Sequence, residues 1–342
     1  MIALQSLIQG SIDCSLYSVV REQRSNQTGE FVVSTPETRE ICNDPFVVGM
    51  NYTDRLRKAS GRVLRQLRDA RVFSGSEHST QVLTILRGGL NFQLREALSD
   101  AFGWSAHSSW FISAQRRLRS PDSSEWEIVE DSYTKMHQQP EVDIVFGDIV
   151  ATGTSLRHGL EKIRGQLGKS MRCRSLMFFT IGGAVSGDYI DLWRAEIHKA
   201  LGQEVSCSVV YFEGVFGVAH AGSSVRIKID GTDLLRRDGA MSPEFLASQY
   251  ENPSFPLERC TIYDAGSRAF HVLEYLEDVR EYWELVSEQA AEGISFSQLV
   301  EERCPEINPT RFGKVDLHEI ATRQLERAGG WLQTLQRGEI RS

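Results

Sequence analysis

Five short apolar runs, at residues 82–86, 109–114, 142–146, 176–181 and 205–212, are spaced along the middle of the chain, and helical patterns at 155–167 and 189–201 fall between them. Such runs, apolar without alternation, suit strands covered on both faces. Antiparallel neighbours need no more than a tight turn, whereas parallel neighbours need a crossover of helical length. The alternation therefore predicts an α/β fold with a mostly parallel sheet and helices on both faces. In that architecture ligands bind beyond the carboxyl ends of the strands.

The flanks read differently. Residues 1–50 are polar and irregular, with the turn-prone stretch Arg24-Ser25-Asn26-Gln27-Thr28-Gly29. Over 54–71, Leu56, Val63, Leu64 and Leu67 recur at near-helical spacing among arginines, which predicts an amphipathic helix with a solvated basic face. Residues 223–256 are turn-rich (Asp230-Gly231-Thr232, Arg237-Asp238-Gly239, Asn252-Pro253) and read as an elaboration rather than a core element. From Phe270 the chain is helical and acidic. Val272, Leu273, Leu276, Val279, Trp283 and Val286 line one face, and a second helix is predicted over 317–336. The division is thus an N-terminal segment (1–50), an α/β domain (51–275) and a C-terminal helical extension (276–342).

Composition excludes several functions. With 342 residues, 41% hydrophobic and 25% charged, the chain is long enough for a large core and has no biased tract. A net charge of -8 argues against a general binder of nucleic acid or anionic membrane. Six cysteines form no C-x-x-C pair and read as buried reduced thiols. The eight histidines show no H-x-x-x-H spacing, and no G-x-S-x-G elbow occurs, so neither a histidine metal site nor a serine hydrolase is supported. Trp104, Trp110 and Trp126 read as packing residues. No run approaches the roughly 18 apolar residues of a membrane span, and the N-terminus lacks a basic start, which predicts a cytoplasmic protein.

The chemistry gathers after the third apolar run. Gly147-Asp148-Ile149-Val150 lead into Ala151-Thr152-Gly153-Thr154-Ser155, and a helical pattern follows. A strand that ends in a tight turn and enters a helix presents converging backbone N–H groups and the positive end of the helix dipole to an anion. Gly153 permits close approach, and the hydroxyls of Thr152, Thr154 and Ser155 add donors. Asp148 can face ribose hydroxyls or enter a Mg²⁺ shell. Upstream, the run 82–86 enters Arg87-Gly88-Gly89, a loop whose backbone can reach a diphosphate while Arg87 offsets its charge.

These residues resemble the type I phosphoribosyltransferases, and among them the uracil phosphoribosyltransferases most. The run 147–155 is similar to the family's motif for phosphoribosyl pyrophosphate (PRPP), with Gly147 where the first of two acids stands. Arg87-Gly88-Gly89 resembles the pyrophosphate loop. Arg116 and Lys135 fall on the basic positions of a flexible hairpin arm. Thr261-Ile262-Tyr263-Asp264-Ala265-Gly266-Ser267-Arg268 resembles the base-binding segment, with Tyr263 and Ser267 as departures.

The resemblance implies catalytic roles for Asp148, Arg87, Arg116 and Asp264, with Asp148 and Asp264 facing Mg²⁺. It implies ligand contacts at Ala151, Thr152, Gly153, Thr154, Ser155, Gly88, Gly89, Lys135, Tyr263, Ala265 and Gly266. The expected activity is transfer of 5-phosphoribose from PRPP to uracil or a related heterocycle, by a homo-oligomer without nucleic-acid or membrane partners. The alternative is a PRPP- or nucleotide-binding regulator of the same fold without turnover, to which Gly147 points.

Overall fold

The computed structural model describes residues 2–8, 13–22, 28–86, 88–118, 126–130, 133–136, 139–168, 171–259 and 265–337. Strands β1 (Ile2–Ile8), β2 (Ser15–Arg21) and β3 (Gly29–Ser34) precede helices α1 (Pro36–Asn43) and α2 (Gly49–Asp69). Strand β4 (Thr80–Leu86) leads through a 3-10 turn (Gly88–Phe92) to α3 (Leu94–Phe102). Next come β5 (Ser108–Ser113), β6 (Gln115–Leu118), β7 (Trp126–Glu130) and β8 (Thr134–Lys135). The centre is β9 (Glu141–Val150), α4 (Thr154–Gln166), β10 (Arg172–Gly183), α5 (Val185–Leu201) and β11 (Ser206–Val218). Strand β12 (Leu234–Met241) and helices α6 (Pro243–Ser248), α7 (Ala265–Phe270), α8 (Val272–Ala291), α9 (Phe296–Arg303) and α10 (Leu317–Gln336) complete the chain.

The main sheet has the order β1-β2-β3-β11-β10-β9-β4-β5-β8, with β12 paired to β11. From β3 to β5 every pairing is parallel; β1, β2, β8 and β12 pair antiparallel at the periphery. Each central strand is buried on both sides, because successive side chains point to opposite faces. Val145, Phe179 and Phe212 pack with Leu56, Leu64 and Leu67 of α2 on one face. Phe146, Phe178 and Tyr211 pack with Leu160 of α4 and Ile190 and Trp193 of α5 on the other. Truncating one of these, such as Leu64, which is fully buried, costs about 2–5 kcal/mol. A third core joins α8, α9 and α10 to Phe46, Val48 and Leu257. Among the described residues no helix is long and apolar enough to cross a membrane.

Three expectations are corrected. Residues 1–50 are not irregular: they supply β1, β2, β3 and α1, and β3 lies parallel beside β11. The apolar part of β3 is only Phe31-Val32-Val33, and its polar Glu30 is buried by pairing with Arg21, so its run is too short to register as a core strand. Residues 223–256 contain β12, whose Leu234 and Leu235 are buried. Leu273 does not join the buried face of α8; it is 43% exposed, while Leu276, Val279, Trp283 and Val286 are fully buried. The five described cysteines are buried free thiols, Trp110 is a core residue, and Trp104 packs on Phe102.

Candidate functional site

The location of a crevice follows from the connections. The chain leaves β4 through α3 toward β5, and leaves β9 through α4 toward β10, so adjacent strands send their crossovers in opposite directions. Ligands bind where the strand order reverses in this way. The β4–β9 ladder runs from Thr80 opposite Asp143 to Leu83 opposite Phe146, so Gly147–Val150 extend beyond it. The 3-10 turn Gly88–Phe92 lies against that free end. A Cβ at Gly89 would stand 3.2 Å from the Gly147 carbonyl oxygen, and one at Gly88 would stand 2.7 Å from Asp148 Oδ1. Two blocks separated by some sixty residues thus come into contact, and a side chain at Gly88 would push the Asp148 carboxylate aside.

The turn from β9 into α4 has the form of a phosphate cradle. Gly153 is the N-cap, in the left-handed region at φ +79, with no side-chain cap and no acid in the first turn of α4. Its carbonyl accepts from Arg157 N at 2.9 Å, which starts the helix. The N–H groups of the first turn have no intrahelical acceptor. Thr152 Oγ1 and Thr154 Oγ1 lie 3.3 Å apart, so two hydroxyls converge beside them. Ala151 is buried, and Thr152, Thr154 and Ser155 are half-buried.

Asp148 is buried, and its Oδ1 accepts the Ile149 N–H at 2.9 Å. Its register partner on β10 is Thr180, whose Oγ1 is buried without a partner among the described residues. Gly147 points to the opposite face, where a Cβ would stand 2.7 Å from Cγ of the Phe92 ring. The ring is fully buried and stacks on Phe212 at 6.1 Å. The space that an acid at 147 would need is therefore filled by an aromatic core.

The third block approaches the same turn. Helix α7, which carries Gly266, touches the 3-10 turn and α2. It is fixed by Arg268, fully buried, which donates to the Val47 and Asp44 carbonyls at 2.7 Å each and lies over Tyr52 at 4.9 Å. Arg87, Tyr263 and Asp264 lie outside the described residues, as do the side chains of Arg116 and Ala265. Strand β6, which carries Arg116, pairs with β7, and this hairpin touches α4. Lys135 is exposed on β8, three strands from β9, or about 14 Å at the usual strand spacing.

Two residues went unnoticed in the sequence. Thr180 had a signal, as a polar position inside an apolar strand. Tyr189 had none: it sits in α5 and comes to the loop only through the packing of α5 beside α4, where its Cε2 would be 2.5 Å from a Cβ at Gly153. Gly153 is thus required twice, for its dihedral and for the ring above it.

No protein-family model and no curated protein matches the chain. Among solved structures it is similar to a hypoxanthine phosphoribosyltransferase from Staphylococcus aureus (19% identity over 39% of this chain and 66% of that one, TM-score 0.25). That match spans just under two thirds of the Staphylococcus protein. It is also similar to the hypoxanthine-guanine phosphoribosyl transferase of L. donovani (14% identity over 47% and 80%, TM-score 0.27). A third is the adenine phosphoribosyl transferase of Trypanosoma brucei, solved with AMP, pyrophosphate and ribose-5-phosphate (12% identity over 58% and 87%, TM-score 0.33). All three are phosphoribosyltransferases, and superpositions this loose say nothing of individual side chains.

Proposed function

We propose that the chain is a phosphoribosyltransferase that moves 5-phosphoribose from PRPP to a nucleobase-like heterocycle, uracil or a related base, with release of diphosphate. The observation that carries this reading is the meeting of Gly88 with Asp148 at the reversal of strand order, beside the open N-terminus of α4. A site for a phosphosugar diphosphate needs an anion cradle, a carboxylate and a glycine loop within one crevice. In this reading the turn into α4, Asp148 and the Gly88-Gly89 loop supply the three.

In this reading the first-turn N–H groups of α4 and the hydroxyls of Thr152 and Thr154 hold the 5-phosphate, and the backbone of Gly88 and Gly89 approaches the diphosphate. Asp148 faces the ribose. Mg²⁺ would fit the carboxylate of Asp148, buried at the end of β9, because the ion is commonly held by one or two carboxylates together with substrate phosphate oxygens and water. Bound with the diphosphate, the ion would spread the leaving charge. The bond from C1 to the diphosphate oxygen breaks and its electron pair leaves with diphosphate. An acceptor nitrogen bonds to C1 and gives its proton to solvent. The protein's part is positioning and charge stabilisation, with Arg87, Arg116 and Asp264 assigned by resemblance. The same reading carries Lys135, Tyr263, Ala265 and Gly266 as ligand contacts, a cytoplasmic homo-oligomer, and a helical extension beyond the transferase domain.

A second reading, a PRPP- or nucleotide-binding regulator without turnover, is favoured by one observation: Phe92 fills the place of an acid at 147. Incubating the chain with PRPP, Mg²⁺ and a panel of nucleobases, with mass-spectrometric detection of nucleotides, separates the two. A new nucleotide with matching diphosphate supports the transferase. PRPP binding without product from any base supports the regulator.

A further inference from the structure

We propose that helices α8, α9 and α10 set the acceptor end of the site by fixing both ends of the segment 261–268, with Arg303 and Tyr282 as positioning residues. The inference rests on the base-binding role given to that segment above, and it gives the helical extension a part in the reaction.

The upstream end is the main chain at 257–259, whose carbonyls are held in succession by buried side chains from distant elements. The Tyr282 hydroxyl of α8 donates to the Leu257 carbonyl. Arg303, the last residue of α9 and 3% exposed, donates to the carbonyls of Glu258 at 3.3 Å, Arg259 at 2.7 Å and Ile227 at 2.7 Å. Its guanidinium lies over the Tyr282 ring at 5.0 Å. Arg236 of β12 adds a second donor to the Glu258 carbonyl at 3.3 Å and reaches that of Cys42 at 3.0 Å. The Arg259 side chain is clamped in turn by the fully buried Asp233, at 2.9 and 3.1 Å. A buried guanidinium needs acceptors for its charge, and its planar fork suits several carbonyls at once.

The downstream end is α7, which touches the 3-10 turn Gly88–Phe92. Arg268 ties α7 to the Asp44 and Val47 carbonyls, and α10 holds that loop: Arg327 pairs with Asp44 at 2.9 Å and lies over the Phe46 ring at 4.2 Å. Packing three helices on a domain needs only apolar contact, which the third core supplies. Tyr282 and Arg303 instead spend buried polar groups on the main chain that enters one segment of the site. The turn into α4 is carried by β9 and faced by Tyr189 of α5. The phosphate end and the acceptor end thus have different supports.

Hydrogen–deuterium exchange of the full chain and of Tyr282→Phe, which removes one hydroxyl and keeps the ring, tests the inference. Peptides covering 257–270 should exchange about tenfold faster in the variant, from the unpaired buried carbonyl, while those covering 147–156 keep their rate. Kinetics should divide in the same way. KM for uracil, or for whichever base of the panel yields nucleotide, should rise about tenfold, with PRPP affinity within about twofold of the unmodified chain. Arg303→Lys, which replaces the fork by a single ammonium, should enlarge the exchange and KM effects; if it does not fold, Tyr282→Phe alone decides. Equal exchange at 257–270, an unchanged KM, or a loss of PRPP affinity as large as the rise in KM overturns the inference. An unmodified chain that makes no nucleotide from any base defeats the transferase reading by itself, and the exchange rates then decide whether these helices fix the segment.

Discussion

Helices α4 and α5 begin at the ends of adjacent parallel strands, after glycine-containing turns, yet their N-termini are built oppositely. At α5 the chain supplies its own anions. Glu30 Oε2 lies 2.5 Å from where a Cβ of Gly187 would be, and Glu30 pairs with the half-buried Arg21. Arg21 also binds the Ala184 carbonyl at 2.9 Å and Asp188 at 3.0 Å, and Gly187 N donates to Tyr211 at 3.2 Å. The starts of α1 and α6 are closed in the same manner, through Thr35 and Ser242 bonded to Glu213. At α4 the first turn holds no acid and no side-chain cap, only glycine and hydroxyls. The start of α2 likewise has no acid and no side-chain cap, so what sets α4 apart is its place at the reversal of strand order, with the hydroxyls of Thr152 and Thr154 beside it.

The contrast can be broken at several points. The largest effect is expected at α5: Glu30→Ala removes the buried acceptor shared by Arg21 and Tyr211, leaves Arg21 with Asp188 and the Ala184 carbonyl, and should cost about 1.5–3 kcal/mol in urea denaturation. In the fraction that folds, PRPP affinity should be retained, and a loss above about tenfold would mean that α5 takes part in binding. Next, Gly153→Ala adds a left-handed penalty of about 1–2 kcal/mol to the collision with Tyr189. Adding Tyr189→Ala should relieve the collision and leave the dihedral cost. Equal stability of the single variant and the unmodified chain would contradict the geometry.

A smaller, pH-dependent effect belongs to two buried carboxyls, Glu213 at the closed starts of α1 and α6 and Glu258 after the turn 255–257. Burial lifts the Glu213 carboxyl from 4.5 to about 7 despite hydrogen bonds from Thr38 and Ser34, and burial lifts Glu258 to about 8, partly offset by Arg236. Both groups favour the protonated fold, so their contribution is complete below pH 4.5 and is lost as pH rises through 7 and then 8. Melting temperature should fall between about pH 4.5 and 8 and level off above, and E213Q/E258Q should flatten that fall. An identical slope in the double variant would show that other groups set it.

Much of this was legible in the sequence because the central strands are buried on both faces and their apolar runs stand out. The helix 317–336 and the strand-to-helix turn at 147–155 are where spacing places them. What escaped depends on distant partners. Strand β3 is recognisable only once Arg21 neutralises Glu30, and β12 only once β11 offers its edge. Leu273 fits the helical period yet points outward, because the third core wraps α8 over less of its circumference than periodicity suggests. At the site, Gly147 was visible as a departure from the family pattern. Its cause, Phe92, lies in the turn after another strand, and no local pattern connects the two.

The central claim is that the start of α4 holds the 5-phosphate of PRPP, and isothermal titration calorimetry of PRPP tests it most directly. The full chain and a variant in which Thr152 and Thr154 are both replaced by leucine should be compared, with matching melting curves as the control for folding. The account predicts measurable binding to the unmodified chain and none to the variant. Unchanged affinity in a folded variant would contradict it.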